Sequence, residues 1–209
     1  PGGLPGPARG AKAAGDPGRL HADARTGWPG GRLQGRWRTV RWRLIRDGYR
    51  DGPTNMAVDE AIMRAHARGL VPPTLRFYGW NPPTLSLGYA QNLEREVDLE
   101  ACRRVGVDVV RRPTGGRAVL HDREVTYSVV ISLELFPGSV VETYRRLSAG
   151  LVEGMRILGL PARVQDGPPR PGLRTAACFD SPSWYEVVVG GKKVVGSAQV
   201  RRWGVLLQH

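Results

Sequence analysis

Two apolar runs on either side of a basic, glycine-rich stretch constrain the fold of this chain more than any other feature. Residues 111–121 read Arg-Arg-Pro-Thr-Gly-Gly-Arg-Ala-Val-Leu-His, with apolar runs at 107–110 and 125–131. The runs predict strands joined by a turn. Gly115 and Gly116 in this turn allow positive φ and a close approach of the backbone to a ligand, and successive peptide N–H groups there can bind an anion. A plain basic β-turn is the alternative.

The rest of the sequence mixes strand and helix patterns. Strands are predicted at 42–45, 74–80, 84–89, 107–112, 118–121, 125–131, 184–189, 193–200 and 205–208, and helices at 52–69, 93–105 and within 137–159. A capping residue directly before Met56 is expected to start the first helix, and Gly69 to end it. The fold class is therefore α/β or α+β, with a mixed, mostly antiparallel sheet and packed helices.

The helix within 137–159 has the clearest pattern. Its apolar residues recur at spacings of three and four, at Tyr144, Leu147, Leu151, Met155 and Leu158. This spacing predicts a helix whose apolar stripe belongs to the core. A shorter stripe predicts the helix over 93–105, and Gly190-Gly191 between two strand patterns predicts a hairpin.

The composition indicates a folded domain with a low-complexity extension. The chain has 209 residues, 41% of them hydrophobic, and a formal net charge of +12. Residues 1–36 are rich in Gly, Pro and Arg and poor in large apolar side chains, so they are expected to be disordered, with the folded domain at 37–209. The sequence lacks both an apolar run near the roughly 18 residues of a membrane span and a signal-peptide core, so a cytoplasmic protein is expected. The charge suits an anionic partner, whether nucleic acid, a phosphate or an acidic protein.

Cys178 and Lys193 are the two candidates for chemistry. Cys178 follows a Pro/Gly-rich loop at 165–174 that contains arginines, a setting that favours a nucleophilic thiolate. A buried, inert thiol beside Phe179 is the alternative. Strand alternation sends Lys192 and Lys193 to opposite faces, so one of them can point inward to a substrate or a thiolate. The alternative places both lysines in solvent at the turn.

Cys102 and His121 are expected to have other roles. Cys102 lies beside the apolar stripe of 93–105, which predicts a buried, inert thiol. His121 and Asp122 cannot form a dyad, because adjacent strand residues point in opposite directions. His121 is therefore expected to be structural or to contact a substrate. Two cysteines do not indicate a disulfide scaffold, and the sequence has no cluster of Cys and His that indicates a metal site.

Four separate motifs resemble the biotin/lipoate protein ligase family. They are Asp59-Glu60-Ala61, the stretch 111–122, the stretch 177–183 (Ala-Cys-Phe-Asp-Ser-Pro-Ser) and the stretch 193–199 (Lys-Val-Val-Gly-Ser-Ala-Gln). They follow one another in the family's order, and the resemblance runs from about residue 42 to residue 209. The motifs look most like those of the family's cysteine-dependent octanoyltransferase branch.

The resemblance implies the family's catalytic-domain fold and its chemistry. Octanoyl would pass from octanoyl-acyl carrier protein to a lysine of a lipoyl-carrier protein, such as the glycine-cleavage H protein, without a cofactor. Cys178 takes the role of the acyl-thioester nucleophile, and Lys193 that of the active-site lysine. The residues implied to contact the substrate are Arg112, Thr114, Gly115, Gly116, His121, Gly196, Ser197 and Ala198. Because the family continues well past position 209, the catalytic domain is expected to be incomplete at its C-terminus.

Three alternatives stay open. An ATP-dependent lipoate ligase of the same fold binds an acyl-adenylate with the glycine turn and the lysine, and its turn usually has a third glycine where this chain has Arg117. An amidotransferase would move octanoyl between carrier domains. The non-enzyme alternative is a fragment that binds nucleic acid or a carrier protein. Nucleic acid is disfavoured, because basic and aromatic residues do not interleave in residues 1–36.

Overall fold

The computed structural model describes residues 40–165 and 186–209. Its strands are β1 Arg43–Arg50, β2 Thr74–Trp80, β3 Thr84–Leu87, β4 Asp108–Arg111, β5 Val119–His121, β6 Thr126–Ser132, β7 Arg163–Val164, β8 Val187–Val189, β9 Lys192–Val195, β10 Gln199–Arg202 and β11 Val205–Gln208. Its helices are α1 Gly52–Ala67, α2 Leu93–Glu96, α3 Leu99–Arg104 and α4 Val140–Ile157. In these two ranges no helix is long and apolar enough to cross a membrane. The predicted disorder of residues 1–36 concerns residues outside the described part.

The strands of the described ranges form three sheets. Their strand orders are β1-β2-β6-β11-β10, β4-β3-β5 and β7-β8-β9. The pairs β1–β2 and β3–β4 are parallel, and the other pairs are antiparallel. The prediction of a mixed, mostly antiparallel fold with packed helices is thus confirmed. The glycine-rich turn connects β4 to β5, which do not pair with each other because β3 lies between them.

Helix α1 begins at Gly52, as predicted, but its capping residue differs from the expected one. Asp51 is its cap, and its carboxylate accepts hydrogen bonds from the N–H and the hydroxyl of Thr54 at 2.7 and 2.8 Å. The predicted cap directly before Met56 is wrong, because Asn55 lies inside the helix and is fully buried. Its side-chain amide donates to carbonyl oxygens at the ends of β1 and β2. The predicted end of the helix is confirmed at Gly69, which has φ +70°.

The single helix predicted over 93–105 is wrong. Helices α2 and α3 are separated by Val97, whose backbone is extended at φ −133° and ψ 125°. The Asp98 carboxylate then accepts a hydrogen bond from the Ala101 N–H at 2.8 Å and starts α3 afresh. Neither helix buries a residue, and Cys102 is half-buried instead of buried. The apolar stripe was too weak to keep one helix against this local cap.

Strands β8 and β9 form the predicted hairpin. Gly190 and Gly191 have φ +57° and +78°, the left-handed pair that a two-residue hairpin turn favours. The strand predicted over 193–200 is interrupted, because residues 196–198 separate β9 from β10, which belongs to the five-stranded sheet. The chain therefore passes from one sheet to another at this short connection.

Helix α4 confirms the predicted helix but corrects the position of its apolar stripe. Ser139 and Glu142 form a capping box at its start. Leu151 and Met155 are only half-buried, and Leu158 is 78% exposed. These side chains line a cavity, and Met155 also packs against the buried cluster of Val152, Ala162 and Val187. Helical spacing cannot distinguish a cavity lining from a core.

The main core lies between α1 and the five-stranded sheet. Its buried members are Ile62, Met63, Val130, Val205 and Leu207. The two residues of α1 meet strands β6 and β11, which are neighbours at the centre of the sheet. Helix α1 is thereby fixed to the strands that also lead to the cavity.

A buried ion pair between Asp59 of α1 and Arg76 of β2 adds a polar link between helix and sheet. Both side chains are fully buried, with Nη1 and Oδ1 2.8 Å apart. Asp59 also accepts hydrogen bonds from the hydroxyls of Tyr78 and Ser128 at 3.0 and 2.8 Å. Arg76 pairs in addition with Asp47 of β1, at 2.8 Å. Each buried charge therefore has several partners, which is the condition under which burial is tolerated.

The protonation of Asp59 follows from this network. Burial acts to raise the pKa of Asp59, but the hydrogen bonds and charges of His209 and Arg76 outweigh it and hold that pKa below the usual value. A carboxyl group with a lowered folded-state pKa stabilises the fold above its unfolded pKa of about 3.9. This contribution is lost as the pH falls through the folded-state pKa.

We predict that Asp59→Ala lowers the free energy of unfolding by about 3–5 kcal/mol, because it removes the fully buried one of the two carboxylates paired with Arg76 and leaves the buried donors around it unpaired. Urea unfolding at neutral pH measures the loss. Glu60→Ala is the matched control one residue away. It removes an exposed pair with Arg64, and should cost less than about 1 kcal/mol. Equal losses in the two variants would contradict the central role of Asp59.

Candidate active site

A cavity of about 1000 Å³ borders the five-stranded sheet and helix α4. The sheet contributes Leu75, Phe77, Tyr127 and Val129, and α4 contributes Leu147, Gly150, Leu151, Gly154, Met155 and Leu158. The glycine-rich turn and residues 194–198 complete much of the rest of the lining. A concave, largely apolar lining with a few polar groups at one place is the usual form of a small-ligand site.

Most of the predicted substrate contacts lie at this cavity. The residues that line it are Arg112, Gly116, His121, Gly196, Ser197 and Ala198. Thr114 is fully buried, and its hydroxyl contacts His209, which does line the cavity. Gly115 is exposed and outside the lining. The structure thus brings the 111–121 and 193–199 motifs together, although more than seventy residues separate them in sequence.

The carbonyl groups of the glycine-rich turn are held by the protein itself. The Thr114 carbonyl accepts a hydrogen bond from the Tyr89 N–H at 2.8 Å. The carbonyls of Gly115 and Arg117 accept from Nη2 of Arg112 at 2.8 and 2.7 Å. The Arg112 guanidinium is therefore directed at the backbone of the turn itself. The sequence motif had instead suggested that this charge contacts a ligand.

Gly88 is a site residue that the sequence did not reveal. A Cβ atom at this position would overlap the carbonyl oxygen of Gly116 and lie 2.9 Å from its carbonyl carbon. Only glycine lets the end of β3 approach the turn this closely. Gly88 lies in an apolar strand pattern without a turn signal. The need for glycine at this position is explained only by the Gly116 backbone, which lies next to it in space.

His121 is fixed by three contacts. Its Nε2 lies 2.7 Å from the Ser86 hydroxyl, and its Nδ1 lies 2.7 Å from Oε1 of Glu124. Its ring stacks on Trp80 with the centroids 4.1 Å apart. The prediction that Asp122 does not form a dyad with His121 is confirmed, and the carboxylate that does pair with it is Glu124.

Glu124 is ionised in this arrangement. Burial acts to raise the pKa of Glu124, but the hydrogen bond and charge of His121, with the Thr126 hydroxyl, outweigh it and lower that pKa. Because a carboxylate can only accept hydrogen bonds, Nδ1 of His121 carries a proton.

His209 connects the glycine turn to the buried ion pair. Its Nε2 lies 2.8 Å from the Thr114 hydroxyl, and its Nδ1 lies 3.1 Å from Oδ2 of Asp59. The peptide groups of His209 and Ala198 also exchange two hydrogen bonds, of 2.8 and 3.1 Å. Sequence reasoning missed His209, because its partners come from α1 and the turn, far away along the chain.

Lys193 is the inward-facing lysine of β9. Its side chain is 11% exposed, and its Nζ lies 2.6 Å from Oε1 of the buried Glu186. Lys192 is exposed. The prediction of opposite faces is confirmed, and the alternative with both lysines in solvent is wrong. Lys193 is not part of the cavity lining, which begins at the next residue, Val194.

Cys178, the predicted nucleophile, lies outside the described residues, so its placement stays a prediction. The other thiol, Cys102, lies on α3. Among the described residues, no group of three or more His, Cys, Asp or Glu side chains is arranged to hold a metal ion.

The fold and the site define a lipoyl protein ligase type of catalytic domain. The family model described as "Lipoyl protein ligase A/B catalytic domain" matches residues 51–209, and the chain belongs to this family. The chain is 59% identical over 174 residues to octanoyltransferase LipM of Symbiobacterium thermophilum, covering 80% of this chain and 63% of that protein. It is 49% identical over 176 residues to octanoyltransferase LipM of Bacillus subtilis, with the same two coverages. The chain therefore spans about 63% of the length of these curated relatives.

Solved structures of ligases share the fold. A lipoate-protein ligase A bound with ATP is 32% identical, with a TM-score of 0.62, and the match covers 81% of this chain and 64% of that one. The bipartite lipoate protein ligase of Thermoplasma acidophilum, described with its E2 lipoyl domain, is also 32% identical, with a TM-score of 0.61, over 81% of this chain and 60% of that one.

We predict that Gly88→Ala destabilises the protein by about 1–3 kcal/mol, because the added methyl group overpacks against the turn. Urea unfolding measures this change. Gly150→Ala is the matched control. A Cβ atom at Gly150 meets no atom within 4 Å, so in the middle of α4 alanine should stabilise by about 0.5–1 kcal/mol. A Gly88→Ala protein as stable as the wild type would show that the close approach is not required.

Proposed function

We propose that this chain carries the catalytic site of a cysteine-dependent octanoyltransferase that transfers octanoyl from octanoyl-acyl carrier protein to a lysine of a lipoyl-carrier protein, such as the glycine-cleavage H protein. The observation that carries the proposal is the largely apolar cavity, whose lining includes Gly116 and Arg117 of the glycine turn and residues 196–198. An eight-carbon chain needs such an apolar surface, and its carbonyl needs polar groups at one end. The identity of 49% and 59% to proteins named octanoyltransferase LipM supports this choice.

In the proposed reaction, the Cys178 thiolate attacks the carbonyl carbon of the carrier-bound octanoyl thioester. A new C–S bond forms, the bond to the carrier sulfur breaks, and the carrier thiol leaves after taking up a proton. The acceptor lysine amine then attacks the enzyme thioester, loses a proton, and forms an amide as Cys178 is released. The two half-reactions need no ATP, because the thioester already supplies an activated acyl group.

Lys193 is proposed as the active-site lysine. A lysine charge close to a thiol favours the thiolate, and the same ammonium can bind the carbonyl oxygen. The pair with Glu186 supports this role, because it holds the Lys193 ammonium in a half-buried place on the strand that leads into the cavity lining. The formal net charge of +12 also suits an acidic carrier protein as the partner.

The ligase structures keep an ATP-dependent lipoate ligase as the second candidate, because they share the fold at TM-scores of 0.62 and 0.61. Two features favour the transferase. The turn has Arg117 where ligases usually have a third glycine, and the chain contains Cys178, which a ligase does not need. An amidotransferase would differ only in its octanoyl donor, which would be a carrier domain instead of acyl carrier protein. The two enzymes are therefore distinguished by which of these donors forms the acyl-enzyme.

We predict that mixing the chain with octanoyl-acyl carrier protein adds the mass of one octanoyl group at Cys178, and that Cys178→Ser abolishes this adduct. Intact-protein mass spectrometry with peptide mapping measures both. Cys102→Ser is the matched control, and it should be acylated like the wild type. An adduct that survives in Cys178→Ser, or one that forms only with ATP, would overturn the transferase.

We predict that Lys193→Ala slows thioester formation by about 100-fold or more, as expected when a general acid–base or charge-stabilising group is removed. Lys192→Ala, one residue away and exposed, should stay within about twofold, since its charge lies in solvent. A quenched time course of the octanoyl adduct gives the rates.

A double variant separates chemistry from folding at this pair. Lys193→Met with Glu186→Gln removes both charges, so thermal stability should recover relative to Lys193→Ala, because a buried carboxylate is no longer left unpaired. Its thioester formation should stay slow. Recovery of the rate together with stability would show that Lys193 has only a structural role.

A further inference from the structure

We propose that the glycine turn at residues 114–116 is an oxyanion-binding site, and that Arg112 is the positioning residue that gives the turn its polarity. This inference rests on the proposed acyl transfer, because it assigns a site to the negatively charged oxygen of the tetrahedral intermediate. The ligand class is a carboxylate or a carbonyl oxygen that gains charge at the head of an apolar chain.

The turn presents its carbonyl groups to the protein. Tyr89 holds the Thr114 carbonyl, Arg112 holds those of Gly115 and Arg117, and the Gly116 carbonyl packs against the backbone of Gly88. The four consecutive carbonyl oxygens of residues 114–117 are therefore all engaged by the protein itself. Their negative dipole ends are thereby held by the chain's own donors and backbone.

The peptide N–H groups of the same turn have no such partners. Of the residues that the structure describes, none accepts a hydrogen bond from the N–H of Thr114, Gly115 or Gly116. Gly116 has φ +92°, and a turn that changes hand between successive residues directs neighbouring N–H groups toward one point. Gly116 also lines the cavity. Fixed N–H donors at the end of an apolar site are the usual means of stabilising an oxyanion.

Arg112 itself is fully engaged in shaping the turn. Toward other described residues its guanidinium makes six hydrogen bonds. Nε donates to the Thr114 hydroxyl and the Gly115 carbonyl, Nη1 to the carbonyl and hydroxyl of Ser86, and Nη2 to the carbonyls of Gly115 and Arg117. The residue is only 5% exposed. A substrate anion could bind this guanidinium only by displacing bonds that hold the turn.

Two hydrogen-bond chains fix the guanidinium from opposite sides. In the first, Arg112 donates to the Ser86 hydroxyl, which contacts His121, which contacts Glu124. In the second, Arg112 donates to the Thr114 hydroxyl, which contacts His209, which contacts Asp59. In both chains the guanidinium is the donor at one end and a carboxylate is the acceptor at the other. Such a chain orients each hydroxyl, so His121 and His209 act as positioning residues behind Arg112.

The proposed role applies to the first half-reaction. As the thiolate forms a C–S bond with the octanoyl carbonyl carbon, one electron pair of the C=O bond moves to the oxygen. The N–H groups of 114–116 bind that oxygen while it is charged. When the pair returns to re-form C=O, the bond to the carrier sulfur breaks, and the carrier thiolate leaves and takes up a proton.

The first test separates positioning from charge. Arg112→Lys keeps the charge but loses the planar set of donors, so kcat for thioester formation should fall about 100-fold with KM changed less than about twofold, as for loss of an oxyanion site. A raised KM with an unchanged kcat would mean that Arg112 binds a substrate anion directly, and would overturn the proposal.

A matched pair at Thr114 tests the same point with a smaller change. Thr114→Val removes the hydroxyl at nearly constant shape and should lower kcat about tenfold or more, since one buried hydrogen bond to a charged group is lost. Thr114→Ser keeps the hydroxyl and should stay within about threefold. Equal rates in the two variants would overturn the second chain, even if Arg112→Lys fails to fold.

The second test does not depend on acyl transfer. Octanoate carries a carboxylate at the head of the same apolar chain, so adding it to the full chain should shift the amide NMR signals of residues 114–116. In Thr114→Val and Arg112→Lys the shift should be reduced. If the wild type takes up no octanoyl group but these signals shift, the transferase proposal fails and the oxyanion site stands. If the signals do not move, the oxyanion site is overturned, whether or not an acyl-enzyme forms.

Discussion

The buried carboxylate of Asp59 is the constraint on which the rest of the structure depends. An ionised group in the core must be surrounded by donors, and the donors of Asp59 come from β2, from β6 and from His209. These donors lie on three different segments, so satisfying one charge brings the helix, the sheet and the end of β11 together. The apolar core between α1 and the sheet then packs around this fixed point.

The glycine turn shows how a basic, glycine-rich motif can differ from a phosphate cradle. Its two arginines at 111 and 112 donate to backbone carbonyls of the chain itself. Their charge therefore shapes the local backbone, and the shaped backbone supplies the polar end of the cavity. A phosphate-binding turn and this turn can have the same residue composition. They differ in whether the arginines donate hydrogen bonds to a ligand or to the protein backbone.

The sequence predicts the parts of this protein that depend on local patterns. Strand alternation correctly sends Lys192 and Lys193 to opposite faces, two adjacent glycines predict the hairpin, and the motifs predict six of the residues that line the cavity. The missed residues depend on distant partners. Glu124, Gly88 and His209 are explained only by the residues that meet them in space.

Helical spacing also has a physical limit here. The apolar stripe of α4 has the period of a core-facing helix, yet most of it lines a cavity while Met155 also packs against a core cluster, because both surroundings favour the same side chains. The break between α2 and α3 has the opposite cause, since the Asp98 cap outweighs a weak stripe. The spacing of apolar residues therefore predicts a helix and its apolar face. Only the structure shows what that face packs against.

The link from Asp59 through His209 to Thr114 has a consequence for motion. Loops around active sites often open locally, with little cost in free energy. This turn is bonded through one imidazole to the buried carboxylate of the core, and through Arg112 to a buried strand. Its opening therefore requires part of the core to open as well, so its slowest amide exchange should approach that of the central strands. The part of the cavity lined by the turn would then be as rigid as the domain itself, and any adaptation of the cavity to ligands of different size would come from the side lined by α4.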